Sequence, residues 1–434
     1  MTRDVAPAPG TSNERRALAD PERVETPASS AEPAPGPHPA PRQKDRASLR
    51  VAIDARKLTD AESGIGSYTL NLVNGLLQED EQLELLLIRH GRRPGERFPN
   101  PRVEEVDVPF YADSPLGPFA LGYLLRRHRF DVFHSPFDHV PRGLTQPLVV
   151  TIHDINWIVN PAYNSHNRFM RLAGGFFYRS SLILSMHEAN RIIAISNATR
   201  NAIVEYAPWH EPKVRVVYNG VDRKRVFPLE TDAGSRALVH VVDPSTPFVL
   251  TVGQGSPYKN HLNAVRGFLE AFRDRPDFRM ILVRRAAGPD KALERLLRSP
   301  HARAQVITLP YVTPAVLNAL YNRARIVLHP SYYEGFGLPL VEAMAAGVPL
   351  VTSSVSSMPE VVGPAALLVS PGDASAIARA LVALDQDDVL RERLIAAGRE
   401  RLRLFDWTAC ARATLDVYRE AARTSAGRQS ALPW

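Results

Sequence analysis

Short apolar segments alternate with longer amphipathic ones along most of the chain. Segments 49–54, 83–88, 131–134, 148–152, 191–195 and 214–217 are short and apolar, and several end at a polar residue. This pattern is typical of strands buried in a parallel sheet. Between them, apolar residues recur at helical spacing over 68–77, 118–129, 168–188 and 198–206. The pattern predicts helices there, with Ser196 as the cap of the last one.

The second half of the chain repeats this alternation. Strands are predicted at 248–252, 279–283, 306–309, 326–329, 349–352 and 366–369, and helices at 261–273, 291–298, 314–323 and 338–346. Strands alternating with helices through short loops indicate parallel sheets covered on both faces. Two such blocks predict an α/β protein with two doubly wound domains, whose ligands bind beyond the carboxyl ends of the strands.

Composition changes sharply before residue 49. Residues 1–48 hold nine of the 37 prolines and no aromatic residue, so we expect a disordered Pro/Ala-rich tail. The polar stretch 223–242 is the predicted linker. The expected division is an N-terminal acceptor-binding domain at 49–225, a C-terminal donor-binding domain at 226–405, a helix at 406–425 that packs back toward the N-terminal domain, and a tail at 426–434.

Charge and cysteine content narrow the class of protein only a little. The net charge of +7 permits attraction to acidic partners such as sugar nucleotides or anionic lipids, without choosing among them. Cys410 is the single cysteine, which excludes an intramolecular disulfide and a cysteine-based metal site. The chain has no run of 18 apolar residues and no secretory signal pattern, so we expect a cytoplasmic protein.

The segment 331–347 carries the clearest candidate chemistry. Glu334 precedes two glycines, Pro339 follows at a position suited to a first helical turn, and Glu342 lies within that helix. A helix start of this kind points free N–H groups at the strand ends, which suits a diphosphate. Taken alone, the pair of acids is equally typical of a glycine-capped helix with a solvated acidic face.

Here the sequence resembles a known family. Glu-Gly-Phe-Gly-Leu-Pro-Leu-Val-Glu, 334–342, is similar to the Glu-x7-Glu motif of retaining glycosyltransferases with the GT-B fold, and most similar to family 4 with its bacterial mannosyltransferases. The resemblance extends over about residues 49 to 425. Further matching segments are 54–56 with 64–68, 151–154, 194–196, 218–222, 252–253 with 259–260, and 405–407. The order and spacing of these segments make the resemblance specific.

The resemblance implies a role for each site residue. Glu342 is expected to bind the donor ribose, and Glu334 the donor sugar, beside the backbone N–H groups of Gly335, Phe336, Gly337 and Leu338. Lys259 is expected to neutralise the diphosphate, with Gly253 and Gln254 alongside, while Gly64 and Gly66 allow close backbone approach. The base is expected near Tyr311 and Val312, and His153 near the sugar and acceptor. The implied catalytic residues are His153, Glu334 and Lys259.

The family also implies a reaction. A sugar, with mannose among the candidates, is expected to move with retention of configuration from a nucleotide-sugar to a glycan or lipid-linked acceptor, in the synthesis of cell-surface polysaccharide or glycoconjugate. No cofactor and no metal are expected. The expected partners are the donor, the acceptor and the inner face of the membrane, which the protein would contact peripherally; no nucleic acid is expected, because no basic recognition element stands out.

The sequence departs from the family pattern at the phosphate side of the site. Gln254 and Tyr258 occupy the positions where a basic residue is usual, and we expect Arg284 or Arg285 to replace that charge. The alternative is a weak or unusual donor affinity. Because the usual basic residue is missing, the protein could instead be an assembly scaffold that binds a nucleotide-sugar without turning it over. A GT-B phosphorylase or epimerase is the alternative within enzymes.

Other candidates are better explained by structure. Asp385 and Asp387 spell a metal motif of a different transferase fold, but lie between predicted helices and are expected to be caps. His134 ends a strand. It is expected either to face the cleft between the two domains or to have a structural role. The basic segment 126–129 suits a helix C-terminus, with contact to a membrane surface as the alternative.

Overall fold

The computed structural model describes residues 48–58, 64–91, 97–114, 116–165, 168–223, 225–229, 238, 240–243, 245–285 and 290–429, with backbone alone at 168–173 and 425–429. The predicted disordered tail lies outside these ranges apart from its last residue, Ser48, as do residues 430–434 of the predicted C-terminal tail.

The first half of the chain builds a seven-stranded parallel sheet. Its order is β3-β2-β1-β4-β5-β6-β7, which reverses direction beside β1 as in a doubly wound fold. The strands are β1 Arg50–Asp54, β2 Glu84–His90, β3 Val103–Val108, β4 Val132–Ser135, β5 Leu148–Ile152, β6 Arg191–Ala194 and β7 Val214–Val216. The helices are α1 Gly64–Glu79, α2 Gly117–Leu125, α3 Asn156–Val159, α4 Arg168–Glu188 and α5 Asn197–Tyr206.

The second half builds a six-stranded parallel sheet of the same kind. Its order is β10-β9-β8-β11-β12-β13. The strands are β8 Phe248–Gln254, β9 Arg279–Arg285, β10 Val306–Leu309, β11 Ile326–His329, β12 Leu350–Ser353 and β13 Ala366–Val369. The helices are α6 His261–Ala271, α7 Lys291–Leu297, α8 Pro300–Gln305, α9 Pro314–Arg323, α10 Leu338–Ala346, α11 Met358–Val362, α12 Ala374–Gln386, α13 Asp388–Arg401 and α14 Trp407–Gln429. The predicted α/β class with two Rossmann-like sheets is confirmed.

Each sheet has an apolar core on both faces because successive strand residues point in opposite directions. In β1, Val51 and Ile53 pack with α1 and α14 on one face, whereas Ala52 packs with α2 and α4 on the other. Thus α14, the last helix that the structure describes, completes the core of the first sheet. The chain leaves that sheet after Val216 and returns to it at Trp407.

Some local features differ from the sequence predictions. The glycine segment at 64–66 is the first turn of α1, so this helix begins four residues earlier than the predicted start at 68. Strand β3 was not predicted because its Val-Glu-Glu-Val-Asp-Val sequence forms a partly exposed edge without a continuous apolar run. Helix α8 was also missed, since its six residues are too few to show helical periodicity.

The loop before α10 touches the first domain. The Gly335 carbonyl accepts hydrogen bonds from Ser196 Oγ at 2.6 Å and Thr199 Oγ1 at 3.2 Å. A β-carbon at Gly335 would lie 1.8 Å from the His153 carbonyl oxygen. Nearby, the Glu360 carboxylate accepts from the backbone N–H groups of Asn197 and Ala198 at the start of α5. These contacts hold the two sheets with their carboxyl edges facing each other.

No helix among the described residues is long and apolar enough to cross a membrane.

Gly335→Ala is expected to lower the free energy of unfolding by about 1–3 kcal/mol, because the added methyl group collides with backbone that cannot rotate away. Chemical denaturation followed by circular dichroism measures this. Gly372→Ala is the matched control, since a β-carbon there meets nothing within 4 Å. Equal stability of the two variants would contradict the close packing of the two domains.

Candidate functional site

A cavity of about 640 Å³ opens between the carboxyl edges of the two sheets. Its walls come from the carboxyl ends of β8 and β9, the loop after β10, the first turns of α1 and α10, and the two places where the chain crosses between domains. Ligands bind at this edge of a doubly wound sheet. The lining residues are Gly64, Ser67, Gly220, Val221, Asp222, Arg225, Val252, Gly253, Gln254, Val283, Arg285, Pro310, Tyr311, Val312, Leu317, Leu338, Pro339, Val341, Glu342 and Trp407.

Helix α10 presents its N-terminus to this first cavity. Gly337 caps the helix with a φ of 92°, a left-handed conformation that glycine adopts readily. Leu338, Pro339 and Glu342 line the wall, so the helix start and one carboxylate reach the same space. The Tyr321 hydroxyl donates a 2.7 Å hydrogen bond to Glu342 Oε2, which fixes the carboxylate in place. A bound anion here would meet the positive end of the helix dipole.

Glu334 lies deeper, in a buried cluster of hydrogen-bond donors. Its Oε1 accepts from Lys259 Nζ at 2.7 Å, His329 Nε2 at 2.8 Å and Ser331 Oγ at 2.7 Å. Its Oε2 accepts from Lys259 Nζ at 3.0 Å. Burial alone would raise the pKa of Glu334, but the Lys259 charge and the His329 hydrogen bond hold this pKa well below its usual range. Glu334 is therefore ionised at neutral pH.

Lys259 is the other half of this ion pair. Burial would lower its pKa, but the negative charge of Glu334 raises it to about 12. Its ammonium group also lies 5.0 Å from the centre of the Tyr258 ring. Two residues expected to contact the donor separately are thus bound to each other, and neither belongs to the wall of the first cavity.

A second cavity of about 420 Å³ lies beside the first, and Gln254 lines both. It is formed mainly by the first domain, with the loop after β8 closing one side. The lining residues are Lys57, Ile65, Asp113, Phe137, Asp138, His153, Asp154, Trp157, Asn164, Tyr178, Leu182, Gln254, Ser256 and Tyr258.

His153 faces this second cavity in a fixed orientation. Its Nε2 lies 2.8 Å from the Pro136 carbonyl oxygen and must donate to it, and its ring packs edge-on to Tyr68 at 5.0 Å. Burial lowers the pKa of His153, so the ring is neutral near pH 7 and keeps a lone pair on Nδ1. His153 can therefore accept a hydrogen bond from a hydroxyl group.

The remaining predicted residues divide between wall and interior. Gly64, Gly253, Gln254, Tyr311, Val312, Leu338 and Glu342 line the first cavity. Gly66, Gly335, Phe336 and Gly337 are buried and belong to neither wall, with Phe336 packed edge-on against Phe405 at 5.4 Å. The donor contacts expected of these four residues remain predictions.

The structure separates the two arginines considered as a replacement charge. Arg285 is exposed and lines the first cavity beside Gln254, its neighbour across the sheet. Arg284 points to the opposite face, with Nη2 3.5 Å from the Gly255 carbonyl oxygen. Arg225 adds a second cation to the same wall. Sequence reasoning missed Arg225 because it lies in the predicted linker.

Trp407 and Ser67 were also missed as cavity residues. Trp407 begins α14, and its Nε1 is buried without a hydrogen-bond partner among the residues the structure describes. Buried donors are nearly always satisfied, so this indole is a candidate donor to a ligand in the first cavity. The only sequence signal was the match at 405–407, which gave no role to the tryptophan.

The residues interpreted as structural have structural roles. Ser196 Oγ accepts from the Thr199 N–H at the start of α5, as predicted. Asp387 caps α13 through the Leu390 N–H, whereas Asp385 instead pairs with Arg275 and Arg325. His134 is fully buried and hydrogen-bonded to Thr151 and Tyr418 rather than facing the cleft. Within the described ranges, no group of three or more His, Cys, Asp or Glu side chains is placed to hold a metal ion.

Comparison with known proteins identifies the class that this fold and site define. Residues 239–401 match the family "Glycosyl transferases group 1", and residues 63–225 match "Glycosyltransferase Family 4". The chain therefore belongs to the family 4 glycosyltransferases of the GT-B fold.

Three known proteins illustrate what the chain is similar to. O-antigen chain mannosyltransferase B of Escherichia coli is 29% identical over 381 residues, covering 82% of this chain and 96% of that protein. MMP alpha-(1->4)-mannosyltransferase of Mycolicibacterium hassiacum is 29% identical over 317 residues, or 68% of this chain and 72% of that protein. The crystal structure of HepE from Anabaena in complex with UDP and glucose shares the fold, with a TM-score of 0.65, 18% identity, and coverage of 86% of this chain and all of that one.

Stability at acidic pH is expected to depend on Glu334. The unfolded carboxyl titrates near 4.5, whereas the folded protein keeps it ionised at lower pH, so the unfolded state binds the proton first. The contribution of Glu334 is complete above about pH 5.5 and is lost progressively as the pH falls from there toward the depressed pKa of the folded protein. Melting temperature should therefore fall less steeply between pH 5.5 and 3.5 in Glu334→Gln than in the wild type.

Glu400→Gln is the matched control for this pH series, because Glu400 is an exposed glutamate whose partner Arg403 is exposed as well. Its melting curve should follow the wild type at every pH. The same pH slope in the wild type and in Glu334→Gln would contradict the depressed pKa.

Proposed function

We propose that the protein transfers a hexosyl group, with mannose favoured, from a nucleotide-sugar to a glycan or lipid-linked acceptor, with retention of configuration and without a metal ion. The observation that carries the proposal is the first cavity, where a helix N-terminus, a fixed carboxylate and two arginines converge. A diphosphate needs the cationic elements, and a ribose needs the carboxylate. The mannosyltransferase relatives favour mannose as the transferred sugar.

Residues in the wall of the first cavity suit each part of the nucleotide-sugar donor. Glu342 accepts from the ribose hydroxyls, while Tyr311 and Val312 flank the base. The start of α10 and Arg285 neutralise the diphosphate, since N–H groups and a guanidinium both bind phosphate oxygens. Complexes of a GT-B structure with UDP support a donor of this class.

The Glu334–Lys259 pair acts beside the reacting carbon. Ionised Glu334 accepts from donor sugar hydroxyls through Oε2, which has fewer partners than Oε1. Lys259 supplies positive charge as the diphosphate departs. The acceptor hydroxyl attacks on the face from which the diphosphate leaves, and the leaving phosphate takes its proton, so catalysis is mainly positioning and charge stabilisation.

The structure gives less reason to consider a nucleotide-sugar-binding scaffold without turnover. It rested on the missing basic residue at Gln254 and Tyr258, and the cavity wall carries Arg225 and Arg285 instead. An epimerase would turn over its substrate without a separate acceptor, and a phosphorylase would use inorganic phosphate in the place of an acceptor sugar. The second cavity, which opens beside the first at Gln254, favours a reaction with a second substrate, and its three carboxylates disfavour phosphate.

A thermal-shift screen with UDP-, GDP-, ADP- and dTDP-sugars tests the donor site. One nucleotide-sugar should raise the melting temperature, and Glu342→Ala should remove that shift while circular dichroism stays unchanged. Glu400→Gln is again the matched control. Transfer measured with EDTA should equal transfer without it. Undiminished donor binding by Glu342→Ala, or strict metal dependence, would contradict the proposal.

Arg285→Ala is expected to raise the donor Kd about tenfold or more, as the loss of a charge-assisted hydrogen bond to phosphate predicts. Arg284→Ala should change the Kd far less, because that side chain lies on the other face of β9. Isothermal titration with the donor identified in the screen measures both. A larger increase in the donor Kd for Arg284→Ala than for Arg285→Ala would contradict the proposal that Arg285 supplies this charge.

We also propose peripheral membrane contact through α2. Leu116, Phe119 and Tyr123 are each more than half exposed, and Arg126 and Arg127 follow at the helix end. An apolar surface next to basic residues suits an anionic lipid surface. The inner face of the membrane is where a cytoplasmic enzyme would meet a lipid-linked acceptor.

The double variant Phe119→Ser with Tyr123→Ser is expected to reduce co-sedimentation with phosphatidylglycerol-containing vesicles severalfold. Phe176→Ser is the matched control, because Phe176 is an exposed phenylalanine on α4. Added salt should weaken binding of the wild type. Equal sedimentation of all three proteins would exclude α2 as the contact surface.

A further inference from the structure

The two cavities that meet at Gln254 differ in charge. The first has two arginines, Arg225 and Arg285, and two carboxylates, Asp222 and Glu342, so its formal charges balance. The second has three carboxylates, from Asp113, Asp138 and Asp154, and Lys57 is the single lysine or arginine among its described lining residues. A ligand in the second cavity therefore meets a more negative environment than the donor diphosphate does in the first.

Lys57 does not cancel this negative charge. Its ammonium group forms an ion pair with Asp113, which leaves Asp138 and Asp154 uncompensated by that lysine. Burial raises the pKa of Asp154 to about 6, so this carboxylate is still largely ionised at pH 7. Burial raises the pKa of the Tyr178 hydroxyl as well, and the negative charges of Asp113 and Asp138 raise it further. The cavity thus disfavours an added negative charge.

Aromatic rings form the other part of this wall. Trp157 and Tyr178 are stacked with ring centres 5.1 Å apart and planes 18° apart, and Phe137 and Tyr258 lie in the same lining. A sugar ring has an apolar C–H face and a rim of hydroxyl groups. The electron-rich faces of aromatic rings suit the first, and carboxylate acceptors suit the second.

A buried imidazole lies next to the wall, with its Nδ1 3.3 Å from Oδ1 of Asp138. His139 is 3% exposed, and its Nε2 has no hydrogen-bond partner within the described part of the chain. This nitrogen lies 4.0 Å from Oδ1 of Asp113, too far for a direct bond. Because Nδ1 of the neutral ring donates to the Asp138 carboxylate, Nε2 is an acceptor, and a ligand hydroxyl group at this place would donate to it. Such unsatisfied buried atoms mark places where a polar ligand or a water belongs.

We propose that the second cavity binds the acceptor as a neutral sugar and that its carboxylates exclude acceptors carrying a phosphate. This inference rests on the proposed transferase function and names its acceptor class. In the reaction, an acceptor hydroxyl oxygen bonds to the anomeric carbon of the donor while the bond from that carbon to the diphosphate oxygen breaks. The hydroxyl proton passes to the departing diphosphate.

The experiment compares neutral methyl hexosides with the 6-phosphate of each, using full-length protein and the donor identified in the thermal-shift screen. For at least one neutral methyl hexoside, kcat/KM should exceed that of the corresponding 6-phosphate on the order of 100-fold. The reason is that a phosphate brought close to the carboxylates of the cavity meets charges of its own sign, which is strongly unfavourable. Asp138→Asn should reduce this preference about tenfold. Asp113→Asn should reduce it too, because Lys57 then loses its partner.

Asp388→Asn is the matched control, an exposed aspartate far from the cavity that should leave the preference at the wild-type value. The Asp138 backbone carbonyl is held by Ser181 and Ser185, so the isosteric change leaves the loop anchored. Equal or better use of the phosphates by the wild type, an unchanged preference in both cavity variants, or transfer to none of the acceptors would overturn the inference. In all three cases donor binding that depends on Glu342 would still support the transferase function.

Discussion

The ion pair between Lys259 and Glu334 is the interaction on which the site depends. It joins the loop after β8 to the loop after β11, two strands that lie side by side in the second sheet. Both groups are almost fully buried, and removing one partner of such a pair typically costs about 3–5 kcal/mol because a charge is left in a poor solvent. Placement of Gly335, and with it the contact to the first domain, follows from this pair.

The Lys259–Glu334 pair also affects how charges are distributed between the two cavities. Because Lys259 is paired with Glu334, the positive charge in the wall of the first cavity comes from Arg225 and Arg285, which balance Asp222 and Glu342. The carboxylates of the second cavity lie on the opposite side of Gln254. A ligand with a negative half and a neutral half would be oriented by this division before any hydrogen bond forms, since charge interactions act over longer distances.

Sequence patterns predicted the parts of the fold that local chemistry decides. Buried strands such as β1 and capped helices such as α5 were evident, because apolar runs and cap residues are local signals. The edge strand β3 was not, because its exposure breaks the apolar run. The site was predicted as a set of residues, but the pairing of Lys259 with Glu334 joins residues 75 positions apart, and no spacing rule reveals it. Arg225 and Trp407 were missed because they lie where the chain crosses between domains, where periodicity carries no signal.

The return of α14 to the first sheet makes the second domain an insertion within the first. Two covalent connections, near Val221 and Phe405, join the domains side by side, and the Val221 N–H donates to the Phe405 carbonyl at 3.1 Å. A side chain at Gly220 would collide with Trp407, so the two connections are packed together. A double connection of this kind restricts relative motion of the domains more than a single linker does. Any rotation of one domain against the other would have its axis near these crossings, at the wall of the first cavity.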